Sequence, residues 1–531
     1  MFKRIVAALV VIGLASVGVV TVFGDNLKSL HGLSADALAG DTSVQSRSGK
    51  LEKKKLVNFA AEGRMVTTTE PVYAAAPNQT TRTALDAQST FAIDVDTASY
   101  TWARRTLLQE NALPAPDGVR VEEWVNAFDY RLTPPKSTPF AISVEGATSP
   151  FDESRTLVKV SLKGRVVTDD TRKPAHLVFL VDVSGSMDAP DRLPLAKRAL
   201  SVLTRQLKPT DTVSLVTYAG STEVVLEPTS GAQQAKILSA IDGLGAGGGT
   251  AMGSGMELAY QRAVRQVRRG ATTRVIVLTD GDANIGRNLT AEQMLSSVHA
   301  YVEEGVTLTT VGFGVGNYRG GLLEQLADKG NGQALYVDGE AAIQKEFNQK
   351  LTGNLEVIAK DVKVQVTFDP AVVSSYRLIG YENRAVADED FRNDRVDAGE
   401  LGAGHTVTAL YEVALTSKAG ALGKVAVRGQ LPDSGEAFET ELPIARTAVA
   451  HALEDMGADY RFATAVALGA DTLRGNTAGA WSLASIADLA LHAADERPER
   501  LEFVQLLRRA DDLKNRRVAR NVYVGSGNDG Y

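Results

Sequence analysis

The chain has no cysteine among its 531 residues. That excludes disulfides, Cys-ligated zinc, thiol catalysis and attachment to a membrane through a lipidated cysteine. Histidine is scarce too. The six, at positions 31, 176, 299, 405, 451 and 492, show no ligand spacing and form no H-E-x-x-H pair. Basic charge is not in excess: 57 Lys and Arg stand against 64 Asp and Glu, for a net charge of −7. A mildly acidic chain gives no support for nucleic-acid binding. Several catalytic signatures are missing. No G-x-S-x-G elbow surrounds Ser184, Ser186 or Ser254, and Gly423-Lys424 is followed by Val425, so there is no P-loop. Asp280-Gly-Asp282-Ala-Asn284 starts like an EF-hand loop, but its next glycine comes one place late, at Gly286, and its twelfth position is Ala291.

Apolar residues make up 44% of the chain, ample for a sizeable core, and its length predicts roughly three or four domains. Lys3 and Arg4 precede an apolar run from Ile5 to Phe23. Residues 1–24 therefore read as a signal or membrane anchor, and the positive-inside rule puts the rest across the membrane. The expected location is the periplasmic side of a cell envelope, anchored in the inner membrane. The alternative is a cleaved signal, with Val22-Phe-Gly24 as the cleavage site, and a soluble periplasmic protein. Residues 25–87 are rich in Ser, Thr, Ala, Gln and Lys and read as a disordered linker.

An accessory domain is expected over residues 88–165. Phe91-Ala-Ile-Asp-Val-Asp96 alternates as a strand with Asp94 and Asp96 on one face. Such paired carboxylates could bind a cation or act as acid and base, but a solvated strand face followed by a helix cap is the favoured reading. Two short amphipathic helices and two alternating strands, around Phe140–Val144 and Val158–Leu162, follow. Residues 173–354 alternate strand and helix, the pattern of a doubly wound α/β domain. One of its helices is expected near Ala291–Glu304. Period-two strands return at 355–446 as a β-sandwich, and 447–520 is helical, with a short tail at 521–531. The expected fold class is multidomain α/β plus β. The doubly wound domain is inserted in the sandwich or flanked by it, and a helical C-terminal region follows.

The most informative stretch is Asp182-Val-Ser184-Gly-Ser186, which follows the apolar run His176–Val181. That run reads as a central parallel strand, and open α/β sheets bind ligands at the carboxyl ends of their strands. Gly247-Gly-Gly-Thr250 ends a flexible loop with a hydroxyl, and Thr273–Asp280 is a second buried strand ending in a carboxylate. Asp182, Ser184, Ser186, Thr250 and Asp280 make an all-oxygen set suited to Mg²⁺, Mn²⁺ or Ca²⁺.

In order and type these five residues resemble the metal-ion-dependent adhesion site of von Willebrand factor type A domains. The resemblance implies that Ser184, Ser186 and Thr250 ligate the ion directly, while Asp182 and Asp280 hold coordinated waters. A partner's carboxylate would complete the shell. Asp182 is expected at the strand's exposed end, so its loss should cost binding and not folding. Four further segments resemble a bacterial cell-envelope family with an N-terminal accessory domain, a von Willebrand factor type A domain and a C-terminal domain of unknown function. They are Phe91–Tyr100, Leu326–Asn331, Tyr376–Arg384 and Gly402–Glu412. What this implies is a non-enzymatic, metal-dependent protein-binding role, as adhesin or assembly scaffold, with an unidentified partner and no contact with nucleic acid. Only the N-terminal segment would meet the membrane. Metal-assisted hydrolysis by the same ion is the competing reading; it needs a base or nucleophile at the open position. His405, in the Gly-His-Thr part of the last segment, reads as a hydrogen-bonded sandwich residue.

Overall fold

The computed structural model describes residues 76–525, apart from 169, 282–300, 315–319, 352–355 and 477–480. The apolar run Ile5–Phe23, most of the expected linker and most of the Ala291–Glu304 helix lie outside the described residues. Among those described, no helix is long and apolar enough to cross a membrane.

The first strands are β1 (Thr81–Arg82), β2 (Gln88–Ala92), β3 (Phe140–Thr148) and β4 (Thr156–Gly164). Helices Ala98–Leu108 and Val121–Asn126 lie between β2 and β3. β1 falls inside the segment read as linker. Its two residues add to a sheet edge opposite Ser375 and Tyr376, and backbone pairing of this kind needs no hydrophobic pattern.

The α/β domain follows with β5 (Ala175–Asp182), β6 (Thr212–Tyr218), β7 (Thr222–Ser230), β8 (Thr272–Thr279), β9 (Val306–Gly312) and β10 (Gln333–Tyr336). Their order across the sheet is β10-β9-β8-β5-β6-β7, with only β7 antiparallel. β5 is buried along its whole length because both faces are covered. Leu177, Phe179 and Val181 meet helix Leu193–Thr204 on one side; Val178 and Leu180 meet helix Met252–Val264 on the other. The unbroken apolar run has this cause. Gly255 lets the second helix come close: a Cβ there would lie 2.9 Å from that of Tyr218.

The chain then returns with β11 (Val357–Phe368), β12 (Val373–Ile379), β13 (Gly399–Gly402), β14 (Thr406–Leu415), β15 (Gly423–Gln430) and β16 (Ala437–Ile444). One sheet runs β1-β12-β14-β4-β3, so β14 pairs with β4 along Thr406–Val413 across the whole insertion. In the second sheet β11 pairs with β15 on one side and with β2 and β13 on the other. The inward residues of both sheets share one core, including Val160, Val364, Tyr411 and Val425. The α/β domain is thus inserted in the sandwich.

Residues 88–165 do not have a core of their own, contrary to the expected accessory domain. Their strands join the sandwich, and their helices join Ala458–Leu473, Leu483–His492 and the long helix Pro498–Gly525. Trp124 and Phe128 meet Phe503 edge-on at 6.4 and 5.5 Å, and Phe128 meets Phe462 at 5.0 Å. Two short helices cannot bury both their apolar faces alone, so they complete the C-terminal bundle.

Candidate functional site

β5 and β8 are parallel neighbours, and their carboxyl ends place Asp182 beside Thr279-Asp280 at the point where strand order reverses. Asp182 Oδ1 accepts the Ser184 N–H at 2.9 Å, which turns the chain sharply just past the strand. Ser184 Oγ and Ser186 Oγ then lie 3.0 Å apart. Thr279 Oγ1 donates to Asp182 Oδ2 at 2.9 Å and ties the two strand ends together.

The glycine loop closes over this turn. Gly247 N–H donates to Val183 O at 2.8 Å, and Gly185 N–H donates to Gly248 O at 3.1 Å. Gly248 has φ +85°, a left-handed conformation that suits glycine. Ala251 N–H donates to Ala219 O at 2.7 Å, so the loop is held at both ends. Thr250 sits half-buried between these ties, and its hydroxyl makes no hydrogen bond among the described residues.

Charge at the site is only partly balanced. Arg192 Nη1 donates to Asp280 Oδ2 at 2.8 Å and also to the Ser186 carbonyl. Burial holds the Asp182 carboxyl above its ordinary value, partly offset by the hydrogen bonds from Ser184 and Thr279. Burial, followed by the Asp182 charge, pushes the Tyr218 phenol well up. The oxygens available are two carboxylates and three hydroxyls, a donor set for a hard divalent cation. The residues present therefore fit such an ion.

The structure brings Asp182, Ser184, Ser186 and Asp280 to one crevice and holds the Thr250 loop against it. One expectation is corrected: Asp182 is not at an exposed end. It is 0% exposed and carries two hydrogen bonds, so it also stabilises the strand junction. Sequence reasoning missed Arg192, which lies in a run without periodicity, and Thr279, although it stands in the quoted strand. Among the other residues singled out, His405 behaves as expected: its Nδ1 accepts the Gly402 N–H at 3.2 Å in the β13–β14 turn.

Asp94 and Asp96 do not lie on a solvated strand face. β2 ends at Ala92, and both carboxylates are buried, at 3% and 2% exposure. Asp94 Oδ1 accepts the Asp96 N–H at 2.9 Å, and Asp96 Oδ1 accepts the Ala334 N–H at 2.8 Å. Thr97 precedes the helix without capping it through its side chain. Arg384 reaches Asp94 and Asp96 at 3.4 Å each and Asp328 at 2.8 Å. Pairing with this arginine replaces solvent, which is why the alternation there misleads.

Comparison with known proteins agrees with this architecture. The model of the von Willebrand factor type A domain matches residues 176–350, and a von Willebrand factor model matches 67–159. The model described as uncharacterized protein YfbK, C-terminal, matches 353–422 and 414–513. A solved structure titled von Willebrand factor type A from Catenulispora acidiphila is 20% identical, covering 72% of this chain and 91% of its own, with a TM-score of 0.42. The magnesium-chelatase 60 kDa subunit of Rhodobacter capsulatus is 40% identical over 126 residues, 23% of this chain and 22% of that one. The uncharacterized protein YfbK of Escherichia coli is 38% identical over 456 residues, 80% of this chain and 78% of that protein. On that similarity the chain belongs to the YfbK family of von Willebrand factor type A domain proteins.

Proposed function

We propose that the protein is a metal-ion-dependent protein-binding component of the cell envelope, an adhesin or an assembly scaffold. Asp182, Ser184, Ser186, Thr250 and Asp280 hold a Mg²⁺-type ion, and the bound ion offers a position to a carboxylate of a protein partner. One observation carries this reading. Three segments far apart in sequence meet at the switch point of the sheet: the Asp182–Ser186 turn and the end of β8 are tied side chain to side chain, and the loop that ends in Thr250 is hydrogen-bonded through its backbone over that turn.

When bound, the ion supplies Lewis acidity for an anionic ligand. The chain's own groups do the rest. Asp182 is fixed by Ser184 and Thr279, so its carboxylate is pre-aimed. The two serine hydroxyls are neutral, so they leave most of the ion's charge for the partner. Arg192 balances Asp280 within the chain.

A capture experiment tests the proposal. Immobilised protein should retain an envelope partner in Mg²⁺ and release it in chelator, and the Thr250→Ala variant should retain none. Equal capture with and without chelator contradicts it. The Lys3-Arg4 and Ile5–Phe23 segment places this binding outside the cytoplasm in our proposal. A reporter active only in the cytoplasm, fused after residue 87, should then be silent, and an active fusion would overturn that placement.

A further inference from the structure

A cleft of about 960 Å³ opens where the α/β domain joins the sandwich. Lys163 and Val166 line it from the chain leaving the sandwich, and Gln344 and Lys345 from the chain coming back. The start of helix Pro498–Gly525 forms a further wall. Two of the segments singled out in the sequence also meet here: the first supplies Val95 and Tyr100, the other His405 and Thr406. None of these residues belongs to the Asp182 crevice. Clefts of about 300–1,000 Å³ between domains are common homes for small ligands.

The charges in the cleft are not all alike. Arg104 is paired with Glu502 and Asp338, and Arg497 with Glu499 at 2.8 Å. Lys163 has only neutral partners. Its Nζ donates to the Gly404 carbonyl at 2.8 Å and to Thr406 Oγ1 at 3.1 Å, and it has no ion pair among the described residues. An ammonium carries three donors, so one is left for a ligand. Burial holds this ammonium below its ordinary value, opposed by the Asp129 charge. A carboxylate brought beside it would restore the lost solvation. The same cleft has apolar lining. Half-buried Val95 lines the cleft, and Val166 is 53% exposed at its edge. A large β-branched side chain left in water gains from being covered.

We propose that this cleft binds a small carboxylate carried on an apolar chain, with the carboxylate on Lys163 and the chain along Val166 and Val95. The site lies beside the outgoing crossing, at Val166, and against residues of both the sandwich and the α/β domain, so its occupant contacts the two together.

The test uses the full chain, in chelator, with octanoate and 1-octanol as calorimetric probes. Octanoate should saturate a single site, and octanol should bind at least about tenfold more weakly. Lys163→Met should lower octanoate affinity to the level of octanol and leave octanol unchanged. Val166→Ser should weaken both probes, and because this residue is exposed the variant should keep its fold. A wild-type chain that octanoate does not saturate overturns the proposal. So does a folded Lys163→Met variant with wild-type octanoate affinity. If that variant fails to fold, unchanged affinity of Val166→Ser for both probes overturns it instead. Chelator removes divalent ions throughout, so failure here is distinct from failure of the metal site.

Discussion

Two of the carboxylate–arginine clusters among the described residues are built for opposite ends. At the carboxyl ends of the central strands of the α/β sheet, Asp182 and Asp280 stand among hydroxyls beside one arginine, Arg192. At the junction of sandwich, helical core and α/β domain, six carboxylates gather around two arginines. Asp94, Asp96, Glu122 and Glu123 belong to the N-terminal segments; Glu324 and Asp328 belong to helix Gly320–Lys329 of the α/β domain. Arg384 holds Asp94, Asp96 and Asp328, while Arg120 holds Glu324 and Glu123. Backbone N–H groups fill other positions: Ser99 donates to Glu123 at 2.7 Å and Tyr381 to Glu122 at 3.1 Å. The first cluster keeps hydroxyl oxygens in reserve. The second turns most of its oxygens to arginines and backbone N–H groups that hold three parts of the chain together. Buried charge is costly unless it is paired, so such a closed cluster suits a joint and an open one suits a ligand.

The largest effect should come from the joint. Arg384→Met leaves three carboxylates without their shared cation, and the chain should lose about 3–5 kcal/mol of stability in denaturant unfolding. A loss below about 1 kcal/mol would mean the arginine is dispensable and the joint is held by backbone alone. Next comes Asp182→Ala, which removes two buried hydrogen bonds as well as a candidate ligand. A loss of about 1–3 kcal/mol without metal is expected in the same assay, and an unchanged chain would mean that Ser184 and Thr279 do not rely on it.

A smaller effect at the joint is read by pH. Burial, countered by Arg120, pushes Glu324 up to about 7, and burial pushes Glu122 up to about 6. For an acid whose folded value is raised, the native state holds the proton more tightly than the unfolded one. Its contribution to stability is full below about pH 4.5 and is lost as pH rises to about 7. Glu324→Gln should therefore gain stability relative to wild type across that window, by on the order of 1–2 kcal/mol. The difference between the two unfolding curves is the readout. A difference that stays flat from pH 4.5 to 7 would show that Glu324 is ionised and fully paired throughout.

Much of this organisation is legible in the sequence because it rests on local periodicity. The apolar run before Asp182 reads as a doubly covered strand, and the strand–helix alternation gives the sheet its order. The matching period-two segments on either side of it foretell the insertion, which β14 and β4 complete. The candidate ligands are legible because they follow predicted strand ends. Long-range pairing is not legible. Nothing near Asp94 announces Arg384, and the alternation of Phe91–Asp96 mimics a solvated face although Arg384 and the Ala334 N–H cover it. The helices Ala98–Leu108 and Val121–Asn126 show their apolar faces, but the chain between them and Phe503 hides which partner covers them. Arg192 is invisible for the same reason: its role comes from where Asp280 ends up.

Thr250 offers the sharpest contrast with the joint, because its hydroxyl supports nothing else among the described residues. The decisive measurement is Mg²⁺ titration calorimetry on wild type and Thr250→Ala, with melting temperatures recorded in chelator. Wild type should bind one ion. The variant should lose at least about tenfold in affinity, while its melting temperature without metal stays within about 2 °C of wild type. Mg²⁺ affinity equal to that of wild type in the folded variant, or a wild-type chain that binds no divalent ion at all, would contradict the account.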